Sequence, residues 1–190
     1  MEDAWIPHFS QRLYLEVKLL RYALGDLRAK DSLEIGAGYG RLTPWIAEFS
    51  AEHHAVEANP RFTEIAKVLY PGISFHTAKA QKLPFSDARF DLAVSWTVLQ
   101  HIPPKLLPSA VSELKRVSTP GSTILLCESV SHEKGILGGE SNTWGREVAE
   151  WSKFLKPWQL DWQLERALDG KLAGMVMRCR GPRHETISPN

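Results

Sequence analysis

Two carboxylates and three glycines form the stretch of this chain best suited to chemistry. Residues 31–41 read Asp-Ser-Leu-Glu-Ile-Gly-Ala-Gly-Tyr-Gly-Arg. Glu34 lies inside a short apolar run that ends in Gly36, Gly38 and Gly40, and a helical pattern follows. A strand that breaks into a glycine-rich turn and opens a helix lets the backbone approach a ligand closely. An unpaired carboxylate in an apolar run is costly. Glu34 must therefore accept from amides of the turn or face a cationic ligand. Glu57 follows at about the twenty-residue distance at which a second strand offers an acid to a ribose. Its two oxygens suit a bidentate grip on a 2′,3′-diol; the plainer alternative is an acid that caps the next helix. Arg41 stands where a dinucleotide turn has its third glycine. The acid ahead of the turn suits a cation better than a pyrophosphate. No glycine-rich Lys-Ser/Thr loop of a nucleotide triphosphatase occurs.

These residues need strands and helices to hold them. Leu13, Val17, Leu20, Leu24 and Leu27 repeat at helical spacing and predict an amphipathic helix over 10–28, weakened at Gly25. Strands are expected at 32–35, 53–57, 73–77, 90–95 and 123–128. Helices are expected over 40–49, from Asn59-Pro60 to about Tyr70, and from Pro103-Pro104 to about Val117. Pro120-Gly121 reads as a turn and residues 131–141 as a mobile loop. Asn142 or Thr143 is the expected cap of a helix to about Leu155. Residues 160–165 and 172–180 read as a hairpin closed by Asp169-Gly170. Early alternation of strand and helix implies a parallel sheet with helices on both faces. The closing hairpin forces one antiparallel strand at its edge.

The chain has 190 residues, 43% hydrophobic and 24% charged, with a net charge of +1. That suits one domain with a sizeable core and gives no global field toward nucleic acid or anionic membrane. No apolar run approaches the length of a membrane span, and the N-terminus lacks a signal-peptide pattern. Cys127 and Cys179, each in an apolar strand-like run, are expected to be reduced core residues of a cytoplasmic protein. Residues 181–190 read as a flexible tail.

Ligands of open α/β sheets sit at the carboxyl ends of the strands. His101 follows strand four, and its ordinary pKa lies near working pH. It is the candidate general base, or else a histidine that orders its turn. His132 and Glu128 follow strand five and stand within reach of a substrate. A metal site there lacks further ligands, so none is expected. The chain holds seven tryptophans. Trp144 and Trp151, seven residues apart, would share a helical face, either lining an aromatic pocket or gluing a helix to the sheet. Tyr39 in the turn, and Tyr14 and Trp5 on the N-terminal segment, could complete the pocket.

Leu33–Leu42 resembles motif I of class I S-adenosylmethionine (SAM)-dependent methyltransferases. Val56-Glu57-Ala58-Asn59-Pro60 resembles their motif II, and Lys79-Ala80-Gln81-Lys82-Leu83-Pro84-Phe85 their adenine-contacting segment. Phe90–Ser95 through Leu99-Gln100-His101-Ile102 is similar to strand four and its turn, and Glu113–Val117 with Pro120-Gly121-Ser122 to the helix and turn before strand five. The similarity covers residues 31–128 and points to the ubiquinone and menaquinone type. It implies a Rossmann-like three-layer α/β sandwich with a mostly parallel seven-stranded sheet in the order 3-2-1-4-5-7-6, strand seven antiparallel. It implies a single domain over 1–180, with an N-terminal helical cap over 1–30 and a substrate lid over 130–157.

The resemblance further implies SAM as cofactor, leaving as S-adenosylhomocysteine (SAH). Glu34 and Gly36, Ala37, Gly38 and Gly40 would surround its methionine moiety. Glu57 would bind the ribose with Ala58 and Asn59 beside it, Ala80 and Gln81 would flank the adenine, and Ser95, Trp96 and Thr97 would lie by the sulfonium. Trp96, His101, Tyr14, Tyr39, His132 and Trp144 would face the acceptor. Lys79 departs from the family, which usually has there an Asp that accepts from the adenine amino group. The expected reaction is in-line methyl transfer to O, N or C of a small molecule, by a monomer or homodimer that engages neither nucleic acid nor membrane. The alternatives are an NAD-dependent oxidoreductase and a SAM-binding protein or cyclase that transfers no methyl.

Overall fold

The computed structural model describes residues 5–131, 135–136, 143–168 and 171–182. Seven strands form the central sheet: β1 (Ala29–Ile35), β2 (Ser50–Glu57), β3 (Ser74–Thr77), β4 (Phe90–Trp96), β5 (Ser118–Glu128), β6 (Gln159–Leu168) and β7 (Lys171–Arg180). Their spatial order is β3-β2-β1-β4-β5-β7-β6. β1 to β5 pair in parallel, whereas β7 runs antiparallel to both neighbours. The expected order and its antiparallel strand are both present.

The two-residue period of the strands divides the core. Ala93 of β4 and Ile124 and Leu126 of β5 pack with α4 (Leu107–Val117) and α5 (Val148–Leu155); Phe90 joins them because the register shifts between it and Leu92. Leu92, Val94 and Trp96, with Leu125 and Cys127, pack instead against α1 (Trp5–Leu24) and α2 (Thr43–Ala47). α3 (Pro60–Leu69) lies against β2 and β3 through Ala66, Ala55 and Phe75. Cys127 and Cys179 are free and buried. Burial pushes the Cys179 thiol up to about 12, so it stays protonated.

Several boundaries differ from expectation, each for a local reason. α1 stops at Leu24, because Gly25 adopts φ +56 and ends the helix. The helix expected over 40–49 is the five-residue α2: Gly40 at φ +93 lies outside helical space and β2 begins at Ser50. Pro120-Gly121 lies within β5, where the pairing jumps from Phe90–Ser118 to Leu92–Thr123. Within the expected loop over 131–141, Gly135–Ile136 pairs with Trp144–Gly145 in a short antiparallel ladder. α5 therefore starts at Val148 and not near Asn142. Its cap is a box in which Glu147 and Glu150 satisfy each other's backbone amides. Trp144 is thus extended and shares no helical face with Trp151. Asn59 caps α3 as expected, accepting from the Arg61 amide at 3.0 Å. Residues 169–170 and 183–190 lie outside the described residues. Gly181, placed with the tail by sequence, is buried and donates to the Ser122 carbonyl at 2.8 Å.

Candidate cofactor site

β1 delivers the glycine turn to the carboxyl edge of the sheet. Gly36, Gly38 and Gly40 all have positive φ, at 75°, 59° and 93°. Two of them are also needed for space: a Cβ on Gly36 would fall 2.3 Å from Val98, and one on Gly40 2.6 Å from Tyr70. A Cβ on Gly38 would meet nothing within 4 Å. That glycine borders open space and leaves room for a ligand against the backbone.

Glu57, at the end of β2, organises the turn. Its Oε2 accepts from the Gly38 amide at 2.9 Å and its Oε1 from the Asn59 amide at 2.8 Å. The carboxylate thus holds Asn59, the cap of α3, and ties the turn to β2 as well. Each oxygen retains a lone pair for a further donor. Ala58 and Asn59 are exposed beside it, and Ala80 and Gln81 are half-buried past the end of β3.

A cavity of about 160 Å³ opens between the glycine turn and the end of β4, lined by Glu34, Gly36–Tyr39, Arg41, Leu42 and Trp96–Val98. Glu34 is 3% exposed. It accepts from Thr43 Oγ1 at 2.5 Å, and His53 Nε2 lies 3.8 Å away. A buried carboxylate on a cavity wall with so few donors is suited to a cation. Thr97 adopts φ +58, uncommon for a β-branched residue. Such strain persists where the surroundings hold it, and it gathers at functional sites.

The expected site residues divide into three groups. Glu34, Gly36, Ala37, Gly38, Tyr39, Trp96 and Thr97 share the cavity wall. Glu57, Ala58, Asn59, Ala80 and Gln81 lie along the same edge of the sheet but do not line it. The Ser95 side chain turns away: it is buried and donates to Glu128 Oε1 at 2.7 Å, so any contact it makes near the sulfonium is through backbone. On the acceptor side, His101 is exposed on a 3-10 turn (Leu99–His101), its Nδ1 3.2 Å from Thr143 Oγ1, and it does not line the cavity. Tyr14 is exposed on α1, and Trp144 is half-buried in the short ladder. His132 and the Trp5 side chain lie outside the described residues. Trp151 is fully buried and Trp158 donates to Ser122 Oγ at 2.9 Å, so these two rings join α5 and its following turn to the sheet.

Sequence reasoning missed Glu16. This α1 carboxylate is 2% exposed, bonds Arg41, and accepts from Trp96 Nε1 at 3.3 Å. It fastens the N-terminal helix to two cavity-wall residues. Its spacing of four from Leu20 places an acid on the buried stripe, which was the available signal.

Asp31, Glu52 and His54 bring ligand atoms within 4.8 Å of one another. Arg89 reaches into this group, 2.6 Å from His54 Nε2 and 3.8 Å from Asp31, so a guanidinium already supplies its positive charge. Burial, then Arg89 and His76, push His54 down to about 4 and keep it neutral.

The sheet order and the glycine turn with acids on both sides define a Rossmann-like methyltransferase fold. A family model described as methyltransferase domain matches residues 33–126. An uncharacterized methyltransferase of Synechocystis is 29% identical over 50% of this chain and 45% of its own length. A ubiquinone biosynthesis O-methyltransferase of Alkalilimnicola ehrlichii is 25% identical over 81% of this chain and 66% of its own. The chain thus spans less than two thirds of these relatives. The N-methyltransferase NodS of Bradyrhizobium japonicum, solved with SAH, superposes with a TM-score of 0.74 at 16% identity, covering 96% of this chain and 94% of NodS. The [4+2]-cyclase SpnF superposes with a TM-score of 0.75 at 14% identity, covering 89% of this chain and 80% of SpnF. Those two likenesses concern fold alone. Over residues 33–126 the chain resembles class I, SAM-dependent methyltransferases, with quinone-type members among its relatives.

Proposed function

We propose that this domain binds SAM along the edge formed by the glycine turn, Glu57 and the end of β4, and directs its methyl to O, N or C of a small-molecule acceptor. The observation that carries the reading is the buried Glu34 carboxylate on the wall of a cavity beside Gly38, where the backbone meets open space. Glu34 and the amides of the turn would hold the charged methionine end. The free lone pairs of Glu57 would take the ribose hydroxyls. Ala58, Asn59, Ala80 and Gln81 would flank the adenine. Lys79 cannot accept from the adenine amino group, so the Gln81 carbonyl would take that contact. When bound, SAM supplies an electrophilic methyl on a sulfonium.

The chain's own part is to align, enclose and move a proton. Trp96 and Thr97 would set the direction of approach at the cavity wall. Glu16, bonded to Arg41 and Trp96, keeps α1 over that wall and restricts water. His101, at the outer end of the turn after β4, would take a proton from a phenol, alcohol or amine acceptor. Tyr14, Tyr39, His132 and Trp144 are the further acceptor-side candidates. The modest net charge supports a small acceptor over nucleic acid. None of the described helices is long and apolar enough to cross a membrane. The two free buried thiols support a cytoplasmic setting, with a monomer or homodimer as the working form.

The test is incubation with SAM and mixtures of candidate acceptors, read by mass spectrometry. A methylated product together with SAH is expected. His101→Ala should cut its formation by about 10²-fold or more with SAH affinity unchanged. Binding of SAM with no methylated product would favour a cyclase-type reading, which the exposed position of His101 away from the cavity also supports.

A further inference from the structure

Glu128, the last residue of β5, is fully buried and takes no part in the binding scheme above. Three donors converge on it: Ser95 Oγ at 2.7 Å, the Leu99 amide at 3.2 Å and the Gln100 amide at 2.9 Å. The Val98 amide also points at it. Gln100 continues the network, its Oε1 accepting from the Ser129 amide at 2.6 Å and its Nε2 lying 3.2 Å from His101. One carboxylate therefore fixes the whole turn from Val98 to Gln100. That turn carries the cavity wall: Val98 fills the space that a side chain on Gly36 would need, and Thr97 just before it sits in left-handed backbone.

We propose that Glu128 is a positioning residue for the cofactor site, and that its ionised form holds Thr97 and Val98 in the binding-competent arrangement. The inference rests on the SAM-binding reading. A carboxylate can accept from every donor around it. A protonated carboxyl turns one acceptor position into a donor, which the amides of the turn cannot accept and the Ser95 hydroxyl can accept only by giving up its own donation. Protonation thus frees part of the turn and lets Thr97 leave its strained conformation. Burial pushes the group up to about 7, against the downward pull of Ser95 and the three amides. Among the described residues, Arg146 acts on it from the segment before α5 and favours the ionised form. From β7 its paired neighbour is the neutral Met175. His101 lies against the Gln100 side chain, its Nε2 3.2 Å from Gln100 Nε2. Cofactor binding and deprotonation of Glu128 then favour each other.

The test is calorimetric titration of the whole chain with SAH between pH 6 and pH 8. It is paired with nuclear magnetic resonance of the Leu99 and Gln100 amides in the free protein. Wild type should bind SAH at least about threefold more weakly at pH 6 than at pH 8, and both amides should shift with a midpoint near that of Glu128. Glu128→Gln should bind with a pH-independent affinity at the weak end of that range. Ser95→Ala removes a donor to the carboxylate, so the wild-type transition should move to higher pH; this variant decides the matter if Glu128→Gln does not fold. Equal wild-type affinity at both pH values, or the same pH dependence in Glu128→Gln, overturns the positioning role and leaves SAM binding intact. Absence of SAH binding at every pH overturns the SAM reading itself and this inference with it, whether or not the amides titrate.

Discussion

Residue by residue, the glycine turn separates roles that sequence alone runs together. Gly38→Ala meets no neighbouring atom, so its stability cost is that of a left-handed alanine, about 1–2 kcal/mol. Its methyl group would occupy ligand space, and SAH affinity should fall much further than stability does. Gly36→Ala drives a methyl into Val98 and should cost about 1–3 kcal/mol more than Gly38→Ala, read by denaturant unfolding. Glu57→Ala should weaken SAH binding by about 1–3 kcal/mol through lost hydrogen bonds to a charged group; unchanged affinity in calorimetry would remove Glu57 from the site. The turn and Glu57 were legible because close backbone approach writes itself into local sequence as glycine. The orientation of Ser95 was not, since it is set by Glu128 on another strand. Nor did any local signal mark the left-handed backbone of Thr97, which is held by distant partners such as the Cys127 carbonyl, 2.6 Å from its amide.

Among the elements, α1 depends on one buried acid. Glu16→Ala would remove one partner of Arg41, whose side chain is 22% exposed and so partly solvated. The expected loss is about 1–3 kcal/mol, with faster proteolytic release of the N-terminal helix. Cleavage as slow as in wild type would show that apolar packing alone secures α1. Helices were read correctly where a cap and a period agree, as at Asn59 and α3. They were overextended where a period continued past a conformational break, at Gly25 and at Gly40. The region around Trp144 was read as helix because Asn142 and Thr143 are cap residue types and the seven-residue spacing of Trp144 and Trp151 fits a helical face. Its pairing with Ile136 is a non-local contact that no single segment encodes.

At the scale of the whole molecule, two buried groups give stability opposite pH slopes. Glu128 has a raised folded pKa, so its contribution is fully present below about pH 4.5 and is lost as pH rises through about 7. His54 has a depressed one, so its contribution is present above about pH 6.5 and is lost as pH falls through about 4. Thermal melts should therefore show the melting temperature of Glu128→Gln rising relative to wild type between pH 4.5 and 7. A constant difference would contradict the buried charge. The sheet order was legible at this scale because the closing hairpin requires an antiparallel edge in an otherwise parallel sheet. The acceptor was not legible, since its candidates Tyr14, His101 and Trp144 come from three separate elements and none of them lines the cavity beside the glycine turn.

The central claim is that the edge holding Glu34, the glycine turn and Glu57 is a SAM site. Parallel calorimetric titrations of the whole chain with SAM, SAH and NAD test it most directly. The account predicts saturable binding of SAM and SAH, micromolar or tighter and weakened by Glu57→Ala, with no binding of NAD. Binding of NAD without binding of SAM or SAH would contradict it.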